Sequence, residues 1–510
     1  VRFTILDRWG NYPNNAKRQV FLTWDDWNDY SFLTLYGIFY VDEKSEKHNL
    51  GGIKIGYFGQ KESERRLALG ETFDELGSEF FSVGVDVEYY EKLNLLGEAV
   101  RDDILIRLRD IAKDADLYDR AILEEVTKVS FLRSLSETTI TGQFRRLASG
   151  GSKLTRYSFK FVLSPIQPDT APLQLEFIVE PKSNPPTNIH VLIGRNGVGK
   201  TFIINNMIES LTRRINHRNT LGRFVSSNDD VRLFANLICV TFSAFDEFDH
   251  PPEQRDKSKE LQYTYIGLKA VQDLQHSDRQ TIPVSLRDEF VRSVLACKNN
   301  SRVSRWKRAI SMLESDPIFR SANITSLIDD DADSTIKDAS AELFRRLSSG
   351  HKIILLTITR LVEAIQERSL VLFDEPESHL HPPLLSSFIN AVSDLLINRN
   401  GVAIIATHSP VILQEVPSRC VWKLRRNGAE AVAERLQIES FGENVGVLTQ
   451  EIFGLEVTES GFHKLLKYLV KTTSSYDEAI EILEGQIGLE GKSILRSLSF
   501  QKDKQNENNT

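Results

Sequence analysis

Apolar and polar positions change rhythm along this chain. Over residues 1 to about 90 they alternate in short runs, 32–40 and 53–58 among them, broken by turn-rich pieces such as Asn49-Leu50-Gly51-Gly52. A period of two is the pattern of half-buried strands. From about residue 90 to 136 apolar residues recur every three or four positions through LLGEAVRDDILIRLRDIAKDADLYDRAIL, which predicts helices that bury one face. Strand patterns return at 157–163 and 173–179, and a Pro/Asn/Ser stretch at 181–186 then punctuates the chain.

Beyond Ile189 the pattern becomes short apolar runs followed by helices. The runs are 190–193, 237–240, 370–373 and 402–405, each bounded by turn residues as buried parallel strands are. This predicts an α/β head with a mostly parallel core sheet, an N-terminal antiparallel strand lobe and a helical insertion. The expected division is a strand-rich lobe over 1–188 with a helical segment at about 90–136, then half of the core at 189–250. An insertion at 251–340, the second half of the core at 341–425 and a helical extension at 426–510 follow. The last ten residues, QKDKQNENNT, read as a polar, disordered tail.

A chain of 510 residues is too long for one core. Its 41% hydrophobic and 26% charged content is that of a water-soluble protein, and no apolar run approaches a membrane span. A cytoplasmic location and no membrane partner are therefore expected. Cys239, Cys297 and Cys420 are scattered without CxxC spacing, which argues against disulfides or a structural zinc. The net charge of −8 gives no support to avid nucleic-acid binding. The basic clusters Arg145-Arg146, 213–218 and 302–308 read as solvated helix faces.

Against this background one motif carries chemistry. Gly194-Arg195-Asn196-Gly197-Val198-Gly199-Lys200-Thr201 matches GxxxxGK[ST] between an expected strand and an expected helix. Glycines let the backbone wrap phosphates with its N–H groups inward. Lys200 then meets the β and γ phosphates of ATP, and Thr201 offers a hydroxyl to Mg²⁺. Further along, four apolar strand residues run into Asp374 and Glu375. Asp374 is placed to hold Mg²⁺ through water and Glu375 to orient or deprotonate the attacking water. The following Pro376-Glu377-Ser378-His379-Leu380-His381-Pro382 has an HxH spacing but no third metal ligand nearby, so it reads as a turn beside the nucleotide region. His408 ends the next strand, on the side where open α/β sheets bind ligands, within reach of a γ-phosphate.

The segment Leu347-Ser348-Ser349-Gly350-His351 sets two hydroxyls and a glycine at a helix start. Such a start is either an ordinary cap or an anion site. In a doubly wound sheet it can lie far from its own phosphate loop, so that a second chain lends it to the first chain's ATP.

With the phosphate loop, LSSGHK, LVLFDEPESHLHP and IATHSP in this order, the chain resembles ABC-class ATPases of the soluble SMC/RecF/OLD-like branch, from Ile189 to about Arg425. The resemblance makes Lys200 and Thr201 part of a Walker A loop and Asp374 and Glu375 a Walker B pair. It assigns Ser348, Ser349 and Gly350 to the signature motif and His408 to the switch. The branch often has a Mg²⁺-touching glutamine after the second strand; here Ser243 stands near that place, which implies weaker coordination and slow turnover. Within the branch, FLTWDDWNDYSFLT, QYTYIGLKA and FGENVGVLTQEIFG look like the PtuA ATPases of Septu and retron-linked anti-phage systems. That likeness implies an oligomeric ATPase, at least a homodimer, controlling a separate HNH nuclease of the PtuB kind. In retron versions a reverse transcriptase and its RNA/DNA product also take part.

Other readings are a DNA-repair ATPase of the SMC/RecF kind, an OLD-type nuclease and a transporter ATPase. The first asks for long heptad arms or a strongly basic surface. The second asks for a strand-end glutamate and a later DxD pair, and although Glu484 and Glu490 are present no DxD follows them. The N-terminal extension and the EPESHLHP turn disfavour the third.

Overall fold

The computed structural model describes residues 1–6, 12–24, 32–61, 69–151, 154–164, 171–212, 222–226, 233–242, 248–251, 261–267, 285–298, 301–330, 332–427, 430–454 and 461–508. Ser243, Asp331 and the basic stretch 213–218 lie outside them. It is a mixed α/β fold.

The N-terminal lobe is one sheet built from β1 (Arg2–Leu6), β2 (Gln19–Trp24), β3 (Leu35–Val41), β4 (Lys47–Tyr57), β5 (Thr72–Phe73) and β6 (Phe80–Gly84), in the order β5-β1-β2-β3-β4-β6. It is not wholly antiparallel, because β1 runs parallel to β2. The expected turn at Asn49-Leu50-Gly51-Gly52 is interior to β4. The register between β3 and β4 slips there and Gly51 takes φ +106°, so the glycine pair serves a β-bulge instead. Phe3, Leu22, Ile55 and Phe81 pack one face of this sheet against Tyr90, Leu93, Ile104 and Leu105. The helical segment is broken into Val87–Leu95, Glu98–Arg107 and Ala115–Ala121, and continues past residue 136 through π-helical turns at Thr127–Phe131 and Thr139–Phe144.

After the lobe come β7 (Tyr157–Leu163) and β8 (Leu173–Val179), then β9 (Ile189–Gly194), and β10 (Gly222–Ser226) returns to pair with β7. The core sheet joins β9 to β11 (Asn236–Thr241), β12 (Gln262–Gly267), β13 (Leu370–Asp374), β14 (Val402–Thr407), β15 (Val421–Asn427) and β16 (Glu430–Glu434). Its order is β12-β11-β13-β14-β9-β15-β16, parallel throughout except for the terminal β15–β16 pair. β12 falls inside the stretch expected to be a helical insertion. The insertion's described helices start later, with Leu286–Cys297, Ser301–Leu313, Pro317–Ala322 and Asp333–Arg346.

Alternate residues of the core strands face opposite layers, as the pleat requires. Leu192, Leu237, Leu372 and Ile404 pack against the small sheet through Phe159, Phe161 and Phe177, with Ile204 and Met207 of helix Lys200–Thr212. Val191, Ile238, Phe373 and Ile405 pack against Leu355, Ile358, Phe388 and Trp306 of the helices on the other side. Covering on both faces explains the apolar runs.

Two polar clasps hold the lobe to the core. Buried Glu367 accepts the Gln143 N–H at 2.5 Å and pairs with Arg146, and Arg399 lies 3.5 Å from Asp86. Arg146 is therefore not part of a solvated face. Nor is Arg305 in the middle of the 302–308 cluster, whose burial pushes its pKa down to about 9. The expected disordered tail is helical instead: helix Leu489–Asn508 carries the polar end, anchored where Lys502 Nζ meets the carbonyls of Val470 and Thr473 at 2.9 and 2.7 Å. All three cysteines are buried and none is in a disulfide. Among the described residues no helix is long and apolar enough to cross a membrane.

Candidate nucleotide site

Strand register decides what meets at the carboxyl ends of the core sheet. Asp374 is level with Thr241 on one side and Ala406 on the other, and Thr407 is level with Ile193. The residues that follow each strand therefore emerge along one rim: the phosphate loop from β9, Glu375 from β13 and His408 from β14.

The loop is held from below and open above. Val198 is buried in the small-sheet layer, whereas Arg195, Asn196 and Gly197 are exposed. Gly197 and Gly199 sit at φ +77° and +100°, where a Cβ is strained, and a Cβ on Gly194 would meet the Leu424 carbonyl oxygen at 2.5 Å. Arg195 and Arg426 flank the loop through the Phe453 carbonyl at 3.3 Å and the Gly197 carbonyl at 3.4 Å.

Lys200 opens the following helix, with its amine tucked under the loop. Nζ donates to the carbonyls of Gly194 and Arg195, both at 3.1 Å, and lies 2.9 and 3.1 Å from the His408 ring nitrogens. His408 Nε2 is in turn 2.7 Å from Glu375 Oε1. A ring protonated at Nε2 donates to Glu375 and leaves Nδ1 to accept from Lys200. Burial pulls the Lys200 pKa down, against Glu375, Asp374 and Glu377, which push it up. An anionic phosphate there would restore the stability of the ammonium.

Asp374 and Thr201 are brought together, Thr201 Oγ1 donating to Asp374 Oδ1 at 3.2 Å. Two hard oxygen donors at the foot of a phosphate loop fit Mg²⁺. Ser243 is outside the described residues.

Glu375 adopts the left-handed region, φ 49° and ψ 57°, at the sharp exit from β13. This turns its side chain back over the rim, while its N–H donates to the Ala406 carbonyl at 2.9 Å. Glu377 is a site residue that motif reasoning missed. Its Oε1 accepts from Thr407 Oγ1 and from the His408 N–H, both at 2.7 Å, so it locks the end of β14. A third carboxylate two positions past the Walker pair was the available signal. In the HxH pair the His379 carbonyl packs under Gly350 and His381 approaches Asp316.

The Ser-Ser-Gly segment starts helix Ser349–Ala364, with Ser348 as its extended N-cap residue. Ser348 and Ser349 are exposed and Gly350 is buried. The Ser348 side chain makes no capping bond to its own helix; Oγ meets His351 Nδ1 at 2.6 Å. A Cβ on Gly350 would lie 2.5 Å from the His379 carbonyl oxygen, so the helix start is fitted against the turn that follows Glu375.

Comparison with known proteins bears on the family of this chain. Residues 301–414, which contain the Ser-Ser-Gly helix, Asp374, Glu375 and His408, match the family described as "AAA domain, putative AbiEii toxin, Type IV TA system". Over those residues the chain is similar to an AAA domain, and its phosphate loop lies ahead of the matched stretch. Across its whole length it is 41% identical to protein ea59 of Escherichia phage lambda, over 524 aligned residues and 99% of both chains. The chain belongs to the ea59 family. Of solved structures, an ATP-binding cassette of an ABC transporter in its ADP conformation is 13% identical, covering 60% of this chain and 98% of that one at a TM-score of 0.30. A twinned crystal of the same cassette gives 13% and 0.31 over the same shares. At those scores the two cassettes carry no weight beside the site geometry of this ea59-family chain.

Proposed function

We propose that this chain binds and hydrolyses Mg²⁺-ATP between two copies, and that its nucleotide state controls a separate effector. The observation that supports this best is the joined set Lys200, His408 and Glu375 on the rim, beside the Thr201–Asp374 pair. Lys200 and the loop N–H groups bind the phosphates, and Mg²⁺, held by Thr201 and Asp374, supplies charge neutralisation for the transferred phosphoryl group. Glu375 takes the proton of the attacking water, and His408 contacts the γ-phosphate once Lys200 turns from the imidazole toward ATP. The exposed Ser348 and Ser349, with Gly350, close the ATP of the second copy, so the homodimer is the complete enzyme.

The effector we propose is an HNH nuclease of the PtuB kind in an anti-phage system of the Septu or retron type, the latter adding a reverse transcriptase and its RNA/DNA product. The local likeness to PtuA at 441–454 supports this, and in a phage-borne relative such a system would be aimed at competing phages. A DNA-repair ATPase of the SMC/RecF kind is the alternative with the same catalytic rim. Two measurements on the purified full chain separate these readings from error. Mg²⁺-ATP should shift its mass toward a dimer, and Lys200→Ala should abolish the shift; a monomer under both conditions overturns the composite site. The pure chain should leave DNA uncut, and co-expression with an HNH nuclease of the PtuB kind should yield a complex whose cleavage depends on nucleotide.

A further inference from the structure

The Ser-Ser-Gly helix start carries a polar relay that phosphate binding alone leaves unexplained. Ser348 Oγ lies 2.6 Å from His351 Nδ1, and His351 Nε2 lies 3.2 Å from Asp316 Oδ1. Asp316 belongs to the helical insertion, where the same Oδ1 caps helix Pro317–Ala322 by accepting the N–H groups of Ile318 and Phe319 at 2.8 and 3.3 Å. Its other oxygen is 3.7 Å from His381 Nε2, from the turn beyond Glu375. The Phe319 ring stands 5.1 Å from the imidazole. Asp316 and His351 are buried at 8% and 7% exposure, whereas Ser348 faces solvent, so the relay runs from the interior to the surface.

Hydrogen-bond bookkeeping gives this relay two states. Hydrogen bonds hold the Asp316 carboxyl below its usual pKa, although burial pushes it up. It is therefore an acceptor, and His351 Nε2 carries a proton. In the neutral ring Nδ1 is a lone pair that accepts the Ser348 hydroxyl proton, which then points inward and is unavailable to a phosphate. In the imidazolium Nδ1 donates to Ser348 Oγ, and the hydroxyl proton is free to point outward to an anion.

We infer that His351, held by Asp316, is a positioning residue that decides whether Ser348 offers its hydroxyl proton to the γ-phosphate of ATP bound on a second copy. This rests on the composite-site reading. Among the described residues Asp316, from the insertion, faces the ring, and His381, from the turn, approaches the other oxygen of that carboxyl. On its own helix Lys352 lies over Phe344, at 6.0 Å from that ring. The relay differs from an ordinary helix cap in one respect: it makes ATP-driven association respond to pH through a serine.

The test uses the full chain carrying Glu375→Gln, so that hydrolysis does not remove the complex and any contribution of His408 is common to every sample. The dimer dissociation constant with Mg²⁺-ATP is measured by sedimentation between about pH 5.5 and pH 8. With His351 present, the dimer should tighten by about 100-fold toward acid, about tenfold for the charge-assisted hydrogen bond at each of its two sites. His351→Gln, which can still accept from Ser348 and donate to Asp316 but does not ionise, should flatten the profile, as should Ser348→Ala. Asp316→Asn preserves a good helix cap but removes the charge beside the imidazolium, and should weaken the acid-side dimer. The same pH slope in His351→Gln, or its persistence in Ser348→Ala, overturns the inference while the dimer stands. Absence of any ATP-dependent dimer with His351 intact overturns the composite site itself.

Discussion

Glu377 holds His408 by its backbone: Oε1 accepts the His408 N–H at 2.7 Å while also accepting the Thr407 hydroxyl at the same distance. Its other oxygen is buried without a hydrogen bond among the described residues. Glu377→Ala should therefore release the end of β14, leaving His408 free to wander from Glu375. We expect ATP turnover to fall by about tenfold or more, mostly in kcat, because ATP binding through the phosphate loop is untouched. Glu377→Gln, which keeps an acceptor oxygen, should recover most of the loss. Equal loss in both variants would assign Glu377 a role through its charge instead.

Glu375→Gln should keep the His408 contact while removing the acceptor for the water's proton. Turnover should drop by about 100-fold, with ATP retained and the chain shifted toward its larger species. Chromatography with light scattering in the presence of Mg²⁺-ATP measures this. A variant with unchanged oligomeric state and unchanged ATP retention would remove Glu375 from the water-activating role.

Ser348→Arg sets a long cation at an exposed surface position, and the fold should tolerate it, with the melting midpoint close to the wild type. Binding of a labelled ATP analogue to the monomer should also persist. ATP-dependent association and turnover should disappear. Turnover at the wild-type rate would mean that each chain hydrolyses ATP alone.

Gly350→Ala tests a contact rather than a chemical group. The added methyl would stand 2.5 Å from the His379 carbonyl oxygen, which is backbone and can yield only by moving the turn after Glu375. A stability loss of about 1–3 kcal/mol by denaturant titration is expected, as for other overpacked sites. Turnover should fall with it, because Glu375 begins the displaced turn.

Asp110 in the N-terminal lobe gives a pH signature independent of nucleotide. Burial drives its carboxyl up to about 7, against hydrogen bonds from the Ala112 N–H at 2.8 Å and the Tyr90 hydroxyl at 2.9 Å. Between an ordinary carboxyl value of 3.8 and about 7 the folded chain holds a proton that the unfolded chain has released. Its contribution is therefore fully present on the acid side and is lost as pH rises through that window. Asp110→Asn should flatten the stability profile from about pH 4 to pH 7 relative to wild type, by thermal melts across that range. A parallel pair of profiles would show that the carboxyl is ionised in the fold.

The candidate rim was legible because its motifs constrain backbone and side chain together. GRNGVGKT needs glycines at positive φ, and LVLFDE needs an apolar strand before its acids, so both motifs announce themselves locally. The four central strands were visible for the same reason, since burial on both faces leaves few polar positions, His190 in β9 among them. What stayed hidden depended on distant partners. β12 looks like any apolar-polar stretch until β11 is beside it. Asn49-Leu50-Gly51-Gly52 carries turn residues that a β-bulge uses equally well. Asp316 lies 35 residues from His351 with no motif linking them, and only the packing of the insertion joins the two. The polar end of the chain is helical because Lys502 finds two carbonyls of another helix, which composition does not record.

The close fit of Gly350 beneath the His379 carbonyl has a thermodynamic consequence for the proposed dimer. In that dimer the turn that would frame a chain's own ATP would also support the serines extended to the other. Occupancy of one site therefore changes how well its neighbour is completed, and binding should be cooperative, with a Hill coefficient above one. Two nucleotides would then act as a single event, so that an attached effector responds to a threshold in ATP rather than to its average level.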